Sequence, residues 1–262
     1  MSDLISKEQY SIDDLLKIMH RLRKECPWDA KQTHQSLKQF LLEETYEVLE
    51  TIDQENYDKL AEELGDLLLQ VVFHSELGTE EGRFDFNDVV NHIAHKLIHR
   101  HPHVFGDKQL NDAQAVQDNW EQSKVKDEGR KSLLSGIPKA APALMQAQRL
   151  QEKAATVGFE WESIGPVYDK VKEEWEELKE AIQKKNQSEI EDEFGDLLFA
   201  LVNLGRFLNV KPEDALRKTN QKFIRRFEHI EKQYNNDVDA MKNATLREMD
   251  EHWERAKKAE HE

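Results

Sequence analysis

The chain has 262 residues, 53 of them acidic against 37 basic, for a formal charge of -16. That length allows one or two domains with substantial cores, and 10 Gly, 6 Pro and long Leu/Glu/Lys/Ala-rich runs predict an all-helical protein. The acidic balance argues against nucleic-acid binding, which rests on many Lys or Arg contacts to phosphates. It leaves room for a small anionic substrate bridged to carboxylates by a metal ion.

The opening MSDLISKEQY is polar and lacks the basic-then-apolar pattern of a signal peptide. No run approaches the roughly 20 apolar residues of a membrane span, so no membrane partner is expected. The single cysteine, Cys26, cannot form an internal disulfide and fits a reducing compartment. The expectation is a soluble, cytoplasmic protein.

In chain order, CPWD with Trp28 precedes a helical stripe of Leu37, Leu41, Val48 and Ile52. Asn56 falls in a turn, and Leu60, Leu64, Leu67 and Val71 mark the next helix. The short connection predicts an antiparallel hairpin. A third helix, FNDVVNHIAHKLIHR, follows a cap at Asn87–Asp88 and sets Lys96 and Arg100 four apart. NWEQSK then holds Trp120 and Lys124.

The same landmarks recur in the same order: FEWE with Trp161, then Val167, Val171, Trp175, Leu178 and Ile182, then Phe194, Leu197, Leu198 and Leu201. PEDALRKTNQKFIRR, with its cap at Glu213–Asp214, sets Lys222 and Arg226 four apart, and HWERAK holds Trp253 and Lys257. Such ordered repetition predicts two homologous helical-bundle domains, residues 1–128 and 140–262. Residues 129–139 read as a linker; Gly129, Gly136 and Pro138 lie within it and Pro142 follows.

Both hairpins carry EExxE, fifteen residues, then ExxD: Glu43, Glu44, Glu47, Glu63 and Asp66 in the first, Glu173, Glu174, Glu177, Glu193 and Asp196 in the second. Residues three and four apart are neighbours on a helix. On a helical wheel Glu44 falls inside the apolar arc, with Glu47 and Glu63 at its margin, and Glu174, Glu177 and Glu193 repeat that arrangement. If the apolar stripes pack together, four carboxylates converge in each copy. Converging like charges at a partly desolvated position is costly, and a hard divalent cation removes the conflict, since Mg²⁺ takes carboxylate oxygens and keeps waters for a phosphate ligand. Single Glu-rich helices are mostly solvated faces; the fixed spacing and the repetition favour a metal cage. Glu50, Glu62, Glu176, Glu180 and Glu191 fit the solvated reading.

Lys222 with Arg226 forms a fixed cation pair suited to phosphate oxygens, and Trp253 with Lys257 offers an aromatic face and a further cation. Trp28 and Trp161 read as packing residues. His92, His95 and His99 have no equivalents in the second copy, so a histidine metal site is disfavoured. A GxxxxGK[ST] loop is absent, which argues against a classical P-loop ATPase or GTPase. A di-iron bundle needs Glu-x-x-His, where this chain has ExxD. A non-catalytic acidic scaffold that binds protein partners is the alternative.

These motifs, with GRFDFNDV, RHPHVF and LMQAQRLQEKAATVGFEW, resemble the MazG-type nucleoside triphosphate pyrophosphohydrolases in their two-domain bacterial form. The resemblance implies an all-α, dimeric enzyme that hydrolyses NTPs and dNTPs to monophosphate and pyrophosphate with Mg²⁺, or Mn²⁺ in its stead, and with broad base tolerance. It implies Glu174, Glu177, Glu193 and Asp196 as metal ligands and Glu173 as an aid to orienting water. It also implies Lys222, Arg226, Trp253 and Lys257 as nucleotide contacts. Glu44, Glu47, Glu63, Asp66, Lys96, Arg100, Trp120 and Lys124 form the corresponding first-copy set, with Glu43 beside its carboxylates. The family pattern credits the C-terminal copy with activity, although the first copy keeps every matching residue.

Overall fold

The structure, a computed structural model, describes residues 7–110, 112, 115–116, 119 and 132–260. All regular elements among the described residues are helical. The chain divides into two compact units, Met1–Lys124 and Val125–Glu262.

In the first unit α1 (Ile12–Glu25) starts with a capping box in which Ser11 and Asp14 satisfy each other's backbone amides. Asp14 is buried and salt-bridged to Lys7 at 2.6 Å; the hydrogen bond from Lys7 and those from Ser11 hold its carboxyl below the ordinary range. A single 3₁₀ turn, Asp29–Lys31, leads to α2 (Lys38–Asp53), which pairs with α3 (Tyr57–Glu80) as a hairpin. α4 (Phe86–Arg100) and the short α5 (Pro102–Phe105) follow. Met19, Leu37, Val72, Phe73 and Leu77 form the buried core, flanked by Leu15, Leu16, Phe40, Leu68, Leu69 and Phe86.

The second unit repeats the plan. α6 (Ala143–Ala155) packs on α8 (Gln187–Phe207), which pairs with α7 (Ile164–Lys184). α9 (Pro212–Gln233), α10 (Val238–Asn243) and α11 (Leu246–Ala259) complete it, with α9 against α11 and α6. Val167, Leu178, Ala181, Leu197, Ala200 and Val202 are its buried apolar positions around the hairpin. The two hairpins turn alike. Glu55 and Lys185 each adopt a left-handed conformation (φ 53° and 56°), followed by Asn56 and Asn186, which cap the next helix.

Several sequence expectations need correction. Leu41, Ile52, Leu64 and Val71 are exposed, as are Trp175, Ile182, Phe194, Leu198 and Leu201. Each hairpin carries more apolar surface than its own unit covers. The cap of α4 is Asp85, with Asn87 and Asp88 inside the helix and Asp88 closing the capping box. α9 begins at Pro212 after Lys211, so Glu213 and Asp214 lie in its first turn, where their charge suits the helix dipole.

Gly78 on α3 lies under Phe84: an added Cβ would meet the ring at 2.7 Å and the Phe84 carbonyl oxygen at 2.8 Å. Gly78→Ala is expected to destabilise the fold by about 1–3 kcal/mol. Urea denaturation checks this, and an unchanged midpoint would contradict the packing.

Candidate functional site

Helical spacing brings the acidic residues of each hairpin together. On α7, Glu173, Glu174 and Glu177 offer oxygens within 4.8 Å of one another, and Glu174 forms a second such group with Glu193 and Asp196 of α8. Glu174 therefore joins the two helices, and only 5% of it is exposed. In the first unit Glu44, Glu47 and Glu63 group within the same 4.8 Å. There the most buried carboxylate is Glu63, not Glu44 as the wheel suggested, because α3 is the more enclosed helix of that pair.

The electrostatics show the conflict expected of converging like charges. Burial, then the charges of Glu174 and Glu193, push the Glu177 carboxyl above its ordinary value. Burial, then Asp66 and Glu47, push Glu44 up in the same direction. Each cluster receives one ammonium that sequence reasoning missed. Lys170 lies 2.7 Å from Glu173 and 2.6 Å from Glu174, and the hydrogen bonds to both hold its ammonium firmly protonated. Lys59 lies 3.0 Å from Glu63. In both cases the signal was present as a lysine one helical turn before the buried glutamate.

A cavity of about 740 Å³ opens beside the second cluster, lined by Lys170, Glu174 and Asp196 at one part of its wall. Elsewhere the wall is largely apolar, with Leu134, Leu150, Phe159, Trp161 and Phe199, and it includes Gln151, Asn203 and Arg206. Lys153, buried on α6, donates to the carbonyls of Leu133 and Ser135 and so fastens Leu134 in that wall. Arg206 is tied to Glu160 through two hydrogen bonds, one of 2.7 Å, and to the Asn203 amide oxygen at 3.0 Å. Trp161 is thus a cavity residue rather than a packing residue alone.

The first unit differs at the matching positions. Phe40 stands four residues before Glu44, where Lys170 stands before Glu174, and Phe73 stands seven after Asp66, where Asn203 follows Asp196. Phe73 is buried in the core, and Phe40 packs against that core and edge-on to Trp28 at 5.8 Å.

Arg226 and Lys257 are paired with other acidic residues. The Arg226 guanidinium lies 5.4 Å over the Trp253 ring and donates to Glu260 at 2.6 and 2.8 Å. Lys257 pairs with Glu254 at 3.5 Å and Lys222 is half-buried on α9. Their recorded partners are Glu254 and Glu260 rather than the hairpin carboxylates. In the first unit Lys96 is exposed and Arg100 is buried, while Trp120 and Lys124 lie outside the described residues. His92 and His101 bond the helix carbonyls of Asp88 and Leu97.

A family model described as the MazG nucleotide pyrophosphohydrolase domain matches residues 32–105 and 166–231, one segment over each hairpin. The chain belongs to the MazG family. It is 47% identical over 249 residues to a Thermotoga maritima protein named nucleoside triphosphate pyrophosphohydrolase/pyrophosphatase MazG, covering 94% of this chain and 95% of that one. It is 48% identical over 257 residues to an Escherichia coli (strain K12) protein named nucleoside triphosphate pyrophosphohydrolase, covering 95% and 98%. Both carboxylate clusters lie within the two matched segments.

The donor set fits a hard divalent cation: carboxylate oxygens from two helices, five acidic residues against one lysine, and one carboxyl already driven toward its neutral form. A carboxyl raised in the folded state favours the protonated fold, so its contribution falls as pH rises through and above the ordinary carboxylate range. In metal-free protein, Glu177→Gln is therefore expected to raise the melting temperature relative to wild type, and by more at pH 7 than at pH 4. Calorimetry in EDTA at the two pH values tests this; an equal difference at both would refute it.

Proposed function

We propose that this chain hydrolyses nucleoside triphosphates, ribo and deoxyribo, to monophosphate and pyrophosphate with Mg²⁺ and broad tolerance of the base, Mn²⁺ serving as a substitute. The chemistry is assigned to the C-terminal unit. The observation that carries the reading is the adjacency of the cavity to the carboxylates, since Glu174 and Asp196 belong both to the cluster and to the cavity wall. A nucleoside can enter an apolar cavity of this kind while its phosphates reach charged groups at the rim. In the first unit Phe40 and Phe73 replace the lysine and the asparagine at the matching positions, and this favours the second unit.

Glu174, Glu177, Glu193 and Asp196 would hold the metal. When bound, the ion neutralises triphosphate charge and lowers the pKa of water. Lys170 is positioned to exchange a carboxylate for a phosphate oxygen, keeping its ammonium paired throughout. Glu173, released by that exchange, is left to accept a proton from water. Phe159 and Trp161 are exposed and line the cavity, where they would restrict water around the nucleoside. For Lys222, Arg226, Trp253 and Lys257 the support is their position in the repeat, and Arg226 must leave Glu260 to reach a phosphate. Glu44, Glu47, Glu63 and Asp66 would form a second cation site.

The domain boundaries 1–128 and 140–262 and a homodimer belong to the same proposal. Trp175, Ile182, Phe194 and Leu201 form exposed apolar stripes at helical spacing on α7 and α8, and a second copy would cover them. A cytoplasmic location accords with one unpaired cysteine. No helix among the described residues is long and apolar enough to cross a membrane.

Pyrophosphate release from a panel of NTPs and dNTPs, with Mg²⁺ or EDTA, is the test. Metal-dependent release is expected from wild type and from Glu44→Gln, with a loss of at least about a hundredfold in Glu177→Gln. Loss only in Glu44→Gln would move the chemistry to the first unit, and no release from any nucleotide would favour the acidic scaffold. Light scattering is expected to return twice the chain mass of 30.8 kDa; a monomer at micromolar concentration would contradict the dimer.

A further inference from the structure

Asp196, Phe199, Ala200, Asn203 and Arg206 of α8 all line the cavity, and the spacing of Asp196, Ala200 and Asn203 puts those three on one face of the helix. Two helical turns separate Asp196 from Asn203, a rise of roughly 10 Å. That rise is comparable with the span from the α-phosphate of a nucleotide to the far edge of its base. Ala200, between them, adds only a methyl group to the wall. At the far end Arg206 donates to both Glu160 oxygens and, at 3.0 Å, to Asn203 Oδ1. A guanidinium can only donate, so the oxygen of the Asn203 amide is the atom that faces it and Nδ2 is the atom left over. Nδ2 makes no hydrogen bond to any described residue and, unlike Gln151 Oε1, is not closed to water. Arg206 takes the Glu160 carboxylate, which leaves Asn203 Nδ2 as an open, oriented donor at this end of the cavity.

We infer that Asn203 is a base-contacting residue of the cavity, donating through Nδ2 to an acceptor atom on the nucleobase. The inference rests on the proposed triphosphate hydrolysis and deepens it by naming a contact to the uncharged end of the substrate. Phosphates are drawn to Lys170 and to a cation held by carboxylates that include Asp196. With the phosphates there, the rise along α8 sets the heterocycle beside Asn203. Every common base carries a carbonyl oxygen or a ring nitrogen able to accept, so one donor orients the base without choosing among them. The first unit lacks the arrangement, because Gln70, Phe73 and Glu76 hold the places of Ala200, Asn203 and Arg206. Phe73 offers no donor and is buried in the core.

Asn203→Leu removes the donor at similar volume, and Asn203→Asp keeps the shape while replacing the donor with an acceptor. Monophosphate formation with Mg²⁺ is measured for ATP, CTP, GTP, UTP and dATP in wild type and both variants. Inorganic triphosphate, which shares the charged end and has no base, is titrated as a competitive inhibitor. Both variants are expected to raise KM for every nucleotide about five- to tenfold, with kcat held within about twofold. The inhibition constant of inorganic triphosphate is expected to stay within about twofold of wild type. Circular dichroism verifies folding, and if Asn203→Leu fails to fold, Asn203→Asp decides. Unchanged KM in the folded variants would overturn the inference while the hydrolytic reading stands. A parallel rise in KM and in the inhibition constant would place the effect at the charged end and overturn it too. So would a rise confined to the ribonucleotides, which would assign the contact to the 2′-hydroxyl. If wild type turns over no nucleotide, the hydrolytic reading itself fails and this inference falls with it.

Discussion

Like-charge repulsion at a packed helix pair is the constraint around which the second unit is arranged. Glu174 is buried at the junction of α7 and α8 with acidic neighbours on both helices, and folding must hold it there. Lys170 offsets part of that cost from the preceding turn, and burial with the charges of Glu174 and Glu193 raises the Glu177 carboxyl. A carboxylate cage kept incompletely neutralised is poised for a divalent cation in a way that a fully salt-bridged surface is not. The hairpin supplies stiffness, since Val167, Leu178, Leu197 and Val202 are buried around the same seam.

The same constraint met differently separates the two units. In the first, the ammonium comes from Lys59 on the second helix of the hairpin, and the position before Glu44 carries Phe40. Phe73 sits in a closed core where the second unit has Asn203 on a cavity wall. One duplicated framework thus sets core aromatics beside the first cluster and a cavity beside the second. Both copies keep all five carboxylates, and Phe40 and Phe73 stand where the second has Lys170 and Asn203.

Both hairpins leave apolar faces exposed, the surface on which the homodimer is proposed. Two helices pack only part of an amphipathic circumference, and the residue of that surface needs cover. Leu41, Ile52, Leu64 and Val71 in one unit and Trp175, Ile182, Phe194 and Leu201 in the other make up the exposed faces. Burying those faces would also stiffen the helices that carry the acidic residues.

The sequence alone determined the helical class, the duplication, the two hairpins and the expectation of four converging carboxylates in each. These are consequences of periodicity and of spacing along single helices, which a linear pattern records directly. The structure groups Glu44 with Glu47 and Glu63, and Glu174 with Glu177 along one helix and with Glu193 and Asp196 across two. Even the left-handed turn before Asn56 and Asn186 is local, and Asn56 was legible as a turn. Only the tertiary structure decided which glutamate is most buried, that Lys170 and Lys59 enter the clusters, and that Arg226 is held by Glu260. It alone joined Leu134, Gln151, Phe159, Trp161 and Asn203 in one cavity, because these come from different elements and share no period. Burial and partner choice depend on what a neighbouring helix brings to the same space, and a spacing rule within one helix carries no record of that.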